Sequence, residues 1–226
     1  MKWLILAWWV SSRFNWINKC ILPINWKSII NHNISFLHSL WVKNIWIVLS
    51  KKTLETINFI DDSLNINISY FIQDKSYWVL SAIDSAKDFI DDDTIVICWD
   101  NYIDLDIKEL IIQKHKYDIV ISWIEKYWLE ARRFCVYHDD KYIEKPDYLK
   151  ENKKYLCYCW PIILDQNYFS KSINIVESNR WEREISELFN KSKTKIIKVK
   201  WKFFDIWDPI SYAKSVLELN TYKWKN

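Results

Sequence analysis

An arginine and a lysine, Arg13 and Lys19, stand in the segment that directly follows the first apolar run of the chain. Arginine can hold two phosphate oxygens at once, and lysine supplies a compact positive charge. Backbone N–H groups in a tight turn after a strand also approach phosphates closely. The segment therefore predicts a phosphate-binding loop with these two cations. The residues expected to contribute its backbone are Leu6, Ala7, Trp8 and Trp9.

An aspartate, Asp100, follows the apolar run TIVICW, which is typical of a strand buried on both faces. A carboxylate at the end of such a strand is well placed to bind Mg²⁺ that bridges phosphate oxygens. Asp208 precedes Pro209, a pair that favours the N-cap and first turn of a helix. The sequence thus predicts a magnesium ligand at Asp100 and a last helix beginning near Asp208.

The chain contains no Gly and 16 Trp. An average protein of this length would contain about 16 Gly. Several Trp residues occupy glycine positions: Trp16 and Trp26 follow Asn, and Trp41 follows a helical pattern. We hypothesise that a codon meaning Gly in the source, a reassigned UGA, has been translated as Trp. The alternative is a chain that is rich in Trp by nature, such as a carbohydrate-binding module.

The elements that must position these residues alternate between apolar strands and helical patterns over roughly the first 100 residues. This alternation predicts βαβ units around a mostly parallel sheet, with ligands at the carboxyl ends of the strands. We expect helices near 27–41 and 78–90. The second half is more antiparallel in pattern, with a helix in WEREISELFN and a strand or hairpin in IIKVKWKFFDI. One domain over residues 1–226 is expected.

With Gly at the Trp positions, the segments LAWWVSSRF, VICWDNYID, YIEKP and FDIWDP resemble the signature segments of the sugar-phosphate nucleotidyltransferases. The resemblance implies a Rossmann-like three-layer αβα fold of the nucleotide-diphospho-sugar transferase type. Residues 1–125 would form the nucleotide-binding half and residues 126–226 the sugar-phosphate half. It implies Asp205 as a second Mg²⁺ ligand, Lys145 as a contact for the sugar phosphate and Glu144 as a contact for a sugar hydroxyl.

Three further segments carry the resemblance. QDKSYWVLSAI, with Gly at Trp78, is similar to the base-binding stretch of thymidylyl- and uridylyltransferases, which implies that Gln73 contacts a pyrimidine. An amide can both donate to and accept from a pyrimidine edge. CWPII and WEREIS resemble the sugar-side segments of the family, which implies that Trp160 and Glu184 contact the sugar.

The implied reaction is attack by a sugar 1-phosphate on the α-phosphate of a nucleoside triphosphate, with dTTP or UTP favoured. The interval from Arg13 to Lys19 is shorter than in typical sugar-nucleotide enzymes. It is closer to that of molybdenum-cofactor guanylyltransferases and related cytidylyltransferases, so transfer to molybdopterin or phosphocholine is an alternative. A regulatory subunit without catalysis is disfavoured, because Arg13, Lys19, Asp100 and Asp205 are all present.

Composition limits the partners and the location. The net charge of +3 is spread along the chain without a basic arm, which argues against nucleic acid. No stretch approaches the roughly 18 apolar residues of a membrane-spanning helix. Five Cys, an odd number without paired spacing, favour reduced thiols and a cytoplasmic protein. Family members are often oligomers, so the resemblance allows for a homo-oligomer.

Overall fold

A computed structural model describes residues 1–74, 78–104, 107–168, 172, 174–198 and 202–223. The chain divides into two compact units that are each built from separate segments. We call one the terminal unit, which comprises Trp3–Tyr77, Ile97–Leu105 and Trp201–Asn226. We call the other the central unit, which comprises Met1–Lys2, Trp78–Val96 and Asp106–Lys200. The single domain expected over residues 1–226 stays a prediction.

Strands and helices succeed one another along the chain, and in several places two or three strands follow each other directly. The strands are β1 (Lys2–Ala7), β2 (Pro23–Ile24), β3 (Lys27–Ser28), β4 (Asn44–Ser50), β5 (Asn67–Gln73), β6 (Thr94–Cys98), β7 (Asn101–Asp104), β8 (Ile119–Tyr127), β9 (Cys135–His138), β10 (Lys141–Glu144), β11 (Lys154–Leu164), β12 (Thr194–Lys198) and β13 (Lys202–Asp205). The helices are α1 (Ile29–Ser39), α2 (Val79–Asp84), α3 (Lys108–Lys114), α4 (Trp128–Ala131), α5 (Ile185–Asn190) and α6 (Pro209–Lys223).

Parallel strands organise the terminal unit. β4 pairs in parallel with β1 on one side and with β5 on the other, and the apolar residues of β1 and β4 are largely buried. Burial on both faces explains why these strands are near-continuous apolar runs in the sequence. A separate cluster buries side chains from the first loop and both long helices of this unit. Its buried members are Phe14, Ile24, Ile29, Ile206 and Leu219.

The central unit is mostly antiparallel. β11 pairs antiparallel with β6, β8 and β9, and β10 pairs antiparallel with β9, whereas β12 is parallel to β8. Its core includes Cys157, and Cys159 on the same strand is also buried. All five cysteines are free thiols, as the sequence predicted.

Several sequence predictions need correction at their boundaries. Helix α1 starts at Ile29 because the two preceding residues pair with β2 as a hairpin strand. The pattern at 78–90 yields α2 and then a separate 3-10 turn at Lys87–Phe89.

The hairpin reading of IIKVKWKFFDI is wrong, since β12 and β13 pair with different strands. β12 lies beside β8 in the central unit, and β13 lies antiparallel to β7 in the terminal unit. Residues 199–201 between them lie outside the described part of the chain.

The predicted N-cap of the last helix is confirmed. The Asp208 carboxylate accepts a hydrogen bond from the Ser211 N–H at 2.7 Å, and Asp208 N–H donates to Ser211 Oγ at 2.9 Å. These reciprocal bonds satisfy donors that a helix start leaves open. The α/β class with parallel strands and flanking helices is also confirmed. Over the described ranges, no helix is both long and apolar enough to span a membrane.

Candidate active site

Lys19 forms the centre of a charged cluster in the terminal unit. It begins a 3-10 turn that Asn18 caps by accepting a hydrogen bond from Cys20 N–H at 3.1 Å. The side chain of Asn18 also donates to Thr56 Oγ1 at 2.8 Å. Lys19 itself is only 2% exposed, and its Nζ donates to Asp100 Oδ2 at 3.0 Å and to the Ile206 carbonyl at 2.8 Å. A buried ammonium needs such partners, and two acceptors fix its position.

The pairing of β7 with β13 brings the two predicted metal ligands into this cluster. Asp205 lies opposite Asn101 in the register, and the Asn101 amide donates to Asp205 Oδ1 at 3.3 Å. The next residue, Ile206, donates its N–H to the Asp100 carbonyl at 2.9 Å. Asp100 and Asp205 therefore lie on adjacent segments, as expected for the shared metal site that the sequence predicts.

Oxygen donors at this point suit a hard cation. Besides the two carboxylates, Asn101 Oδ1 is buried and accepts no hydrogen bond from the described residues. Over the ranges that the structure describes, no three His, Cys, Asp or Glu side chains form a ready metal cluster. Mg²⁺ usually binds through one or two carboxylates together with water and substrate phosphates, so the residues present fit this ion.

Arg13 is an exposed residue of the 3-10 turn Ser12–Phe14, beyond the end of β1. Its guanidinium carbon stacks 3.8 Å from the ring centroid of Trp207, and Lys19 Nζ lies 4.8 Å from the ring centroid of Trp99. Each predicted phosphate-binding cation thus has an indole against it. Trp99 is 1% exposed.

The strand end predicted to bind the nucleotide is tightly packed. Leu6 and Ala7 are buried at the end of β1, and the Leu6 carbonyl accepts from Trp99 N–H at 3.1 Å. Trp8 is 4% exposed and Trp9 is 38% exposed. Leu6, Ala7 and Trp8 can therefore contact a ligand only if this packing changes.

Gln73 is the last residue of β5, at the carboxyl end of the parallel strands. It is 7% exposed, and neither its amide nitrogen nor its amide oxygen has a hydrogen-bond partner among the described residues. A buried amide left unpaired is costly, so both polar atoms of Gln73 are available to a ligand. Trp78, the other predicted base-side residue, is the N-cap of α2 in the central unit.

A second charged cluster lies in the central unit. Glu144 ends β10, and one of its carboxylate oxygens, Oε2, is enclosed without a hydrogen bond from the described chain. Glu184 accepts from Ser178 Oγ at 2.7 Å and from Arg180 Nη2 at 2.7 Å. Burial raises the pKa of Glu144 to about 7, and the Glu184 carboxylate adds to this effect, whereas Lys145 and Arg180 oppose it.

Lys145 and Trp160, the other residues predicted to lie on the sugar side, belong to the central unit. Lys145 follows Glu144 with a positive φ of 44°, and its N–H donates to the Phe134 carbonyl at 3.0 Å. Trp160 lies in β11 before a cis peptide bond to Pro161, with its ring 5.4 Å from that of Tyr158.

Sequence reasoning missed two participants. Arg180 is the cation that pairs with Glu184, and because both lie in a loop before α5, no helical periodicity in the sequence could have indicated the pair. The Ile206 carbonyl that accepts a hydrogen bond from Lys19 is a backbone group, so the residue type at position 206 could not have predicted this contact.

Comparison with known proteins identifies the family. The sequence profile described as Nucleotidyl transferase matches residues 15–223. Because the match covers most of the chain, the protein belongs to this family of enzymes.

Individual relatives agree with this placement. The chain is 26% identical over 212 residues to the bifunctional protein GlmU of Methanocaldococcus jannaschii, which covers 90% of the chain and 48% of that relative. It thus spans about half the length of the curated relative that it matches.

Solved structures share the fold. One described as a glucose-1-phosphate thymidylyltransferase from Bacillus anthracis, in complex with sucrose, has a TM-score of 0.82 at 21% identity, covering 96% of this chain and 94% of that one. A UDP-glucose pyrophosphorylase complexed with UDP-glucose has a TM-score of 0.77 at 18% identity, and the match covers 100% of this chain and 99% of that one. HddC from Yersinia pseudotuberculosis, complexed with GMP-PN, has a TM-score of 0.74 at 22% identity, covering 96% and 99%.

Proposed function

We propose that the protein transfers a nucleotidyl group from a nucleoside triphosphate to a sugar 1-phosphate. A phosphate oxygen of the sugar attacks the α-phosphorus, a new P–O bond forms, and the bond to the β-phosphate oxygen breaks to release pyrophosphate. The phosphate nucleophile is already ionised near neutral pH, so no general base is needed. The observation that carries the proposal is the cluster in which buried Lys19 meets Asp100 beside Asp205.

Catalysis in this proposal depends on positioning and charge neutralisation. Arg13 neutralises the triphosphate, Lys19 joins it when position 99 carries the Gly proposed below in place of the Trp99 ring that packs against its ammonium, and Lys145 orients the incoming phosphate. Asp100 and Asp205 would hold Mg²⁺, which supplies positive charge to the phosphate oxygens. Removal of divalent ions with EDTA is expected to abolish turnover, and added Mg²⁺ is expected to restore it.

Gln73 supports a pyrimidine nucleotide. Its unpaired, buried amide can donate to one edge atom of uracil or thymine and accept from another. The fold neighbours include proteins described with thymidylyl and UDP chemistry and one bound to GMP-PN, so the base needs a direct test.

On the acceptor side we assign Glu144 and Glu184 to sugar hydroxyls and the backbone at Trp160, a glycine position in the proposal below, to the sugar-binding wall. Carboxylates are suited to sugar hydroxyls because they accept two or more hydrogen bonds. The free thiols support a cytoplasmic location.

We further propose that Gly stands at the Trp positions in the protein made by its source. Asn25 and Trp26 form the two-residue loop between β2 and β3 with φ values of 49° and 68°, as in a type I′ turn. That turn strongly favours Asn-Gly. The Trp26 side chain is fully exposed, so no packing compensates for its strained backbone.

The end of α1 supports the same proposal. Trp41 has a φ of 63°, its N–H donates to the His38 carbonyl, and Val42 N–H donates to the Leu37 carbonyl. This is the Schellman arrangement, in which the left-handed residue is usually Gly. Trp16 and Trp181 also have positive φ, at 64° and 59°, and both are exposed.

The first experiment measures pyrophosphate release by a chain with Gly at all 16 Trp positions and, in parallel, by the chain that carries the 16 Trp residues. Nucleoside triphosphates are tested against glucose 1-phosphate, other sugar 1-phosphates, phosphocholine and molybdopterin. Release with dTTP or UTP and a sugar phosphate is the expected result. Release only with CTP and phosphocholine, or only with GTP and molybdopterin, would change the assigned acceptor. No pyrophosphate release with any pair of substrates would contradict the proposal.

The glycine proposal has its own test. Peptide masses of the protein isolated from its source are expected to show Gly at positions 26 and 41. Trp masses there would contradict it. In that case, binding of the Trp-containing chain to polysaccharide would test the carbohydrate-binding alternative.

A further inference from the structure

A second ion pair of the central unit lies next to the sugar-side cluster in sequence. Arg183 Nη1 donates to Asp84 Oδ2 at 2.5 Å, and both side chains are mostly buried, at 21% and 26% exposed. Asp84 is the last residue of α2, whose first turn follows Trp78. An acidic residue at a helix C-terminus is electrostatically unfavourable. The ion pair with Arg183 offsets this cost for Asp84.

The guanidinium of Arg183 makes more than one contact. Nε donates to the Ile175 carbonyl at 3.2 Å, and Nη2 donates to the Ser172 carbonyl. Asp84 Oδ1 also accepts from Ser172 Oγ at 3.3 Å. Each of the three guanidinium nitrogens thus has an acceptor within the protein. Arg183 is therefore engaged in holding the chain and is not free to bind a phosphate in this arrangement.

Residues 174–184, which we call the acceptor loop, are held by this pair. The loop carries Arg180 and Glu184, and Ser178 N–H closes it by donating to the Glu182 carbonyl at 2.8 Å. Arg183 fixes the backbone directly before Glu184, while Ser178 and Arg180 fix the Glu184 carboxylate. Glu184 makes no side-chain cap for α5, so the local helix does not determine its direction.

We propose that Asp84 and Arg183 are positioning residues that set the acceptor loop for the sugar phosphate. This inference rests on the proposed function, because it takes Glu184 as a contact for the acceptor. A contact to a sugar hydroxyl, away from the reacting phosphorus, stabilises the bound acceptor equally before and during the reaction, so its loss raises KM and leaves kcat unchanged. A loosened pair should therefore weaken acceptor binding while the nucleotide site keeps its affinity.

The test uses the glycine-substituted chain after its pyrophosphate release has established the proposed function. The variants are Asp84→Asn, Arg183→Met and the double variant. Each is expected to raise KM for the sugar phosphate about 10-fold, with kcat and KM for the triphosphate within about 2-fold. Because the pair acts as a unit, the double variant should be no worse than either single one.

A matched control is Glu130→Gln, which removes an ion pair with Lys126 in the same unit, where Glu130 is 61% exposed. Exposed pairs contribute little, so its kinetics should match the parent. Hydrogen exchange should quicken in the acceptor loop of Asp84→Asn and not in Glu130→Gln. Unchanged acceptor KM in Asp84→Asn and Arg183→Met, or an equal rise in KM for the triphosphate, would overturn the positioning role. Failure of the parent chain to release pyrophosphate would instead reject the proposed function.

Discussion

The two charged clusters differ in how their charges are balanced. In the terminal unit, the Lys19 ammonium meets one carboxylate and one carbonyl, so opposite charges are paired. In the central unit, the carboxylates of Glu144 and Glu184 share a neighbourhood with Arg180, and one Glu144 oxygen lacks a hydrogen bond from the described residues. The first cluster is therefore preorganised, whereas the second is sensitive to pH and to a ligand that donates hydrogen bonds.

The largest expected effect comes from breaking the paired cluster. Lys19→Ala in the glycine-substituted chain should lower kcat/KM for the triphosphate by about 1,000-fold, because a preorganised charge at the phosphate is lost. Steady-state pyrophosphate release measures this effect. Lys27→Ala is the control, since Lys27 lies in the same unit and bonds only to Ser35 in the contacts described. Equal losses in both variants would show a general effect of charge removal.

Gln73 tests whether the terminal unit also selects the base. Gln73→Ala should reduce kcat/KM for the preferred pyrimidine triphosphate by about 10- to 100-fold and leave KM for the sugar phosphate unchanged. Competition assays with all four triphosphates measure the selectivity. Gln113→Ala, which changes a surface amide bonded to Glu109, should have no effect. A profile for Gln73→Ala that matches the parent would remove the base assignment.

The unbalanced cluster predicts a pH effect on stability. Glu144 has its pKa raised from an ordinary 4.5 to about 7, so the folded state keeps a proton that the unfolded state releases. The free energy of unfolding should therefore fall as pH rises from about 4.5 to about 7. Glu144→Gln should flatten this slope, as measured by urea unfolding at pH 5 and pH 8. Glu151→Gln, at an exposed position, should keep it. An unchanged slope in Glu144→Gln would show that its carboxylate is well compensated.

The smallest expected effect is a change in stability at an exposed turn that lies outside both charged clusters. Trp26→Gly should raise the free energy of unfolding by about 1 kcal/mol, because it relieves a left-handed backbone at an exposed turn. Trp46→Gly, in the strand β4, should lower it instead, since Gly weakens strands. Urea unfolding of both variants tests the sign. A loss of stability in Trp26→Gly would contradict the turn argument.

Local signals in the sequence were sufficient for several of the elements. The apolar runs predicted β1, β4 and β6, because a strand buried on both faces needs an apolar residue at nearly every position, and the run INISYFI predicted β5, which is only partly buried. Asp208 before Pro209 predicted the start of α6, since capping uses only neighbouring residues. The turn chemistry of Asn25–Trp26 likewise follows from two adjacent positions.

Tertiary structure decided which of these elements meet. Lys19 and Ile206 are 187 residues apart, and their bond exists only because the chain folds back to place β13 beside β7. Nothing in the pattern of IIKVKWKFFDI showed that its two strands would join different partners. The same is true of Asp84 and Arg183, which are 99 residues apart. Periodicity reports the local environment of each residue, whereas long-range pairing depends on the packing of the whole chain, which no single segment encodes.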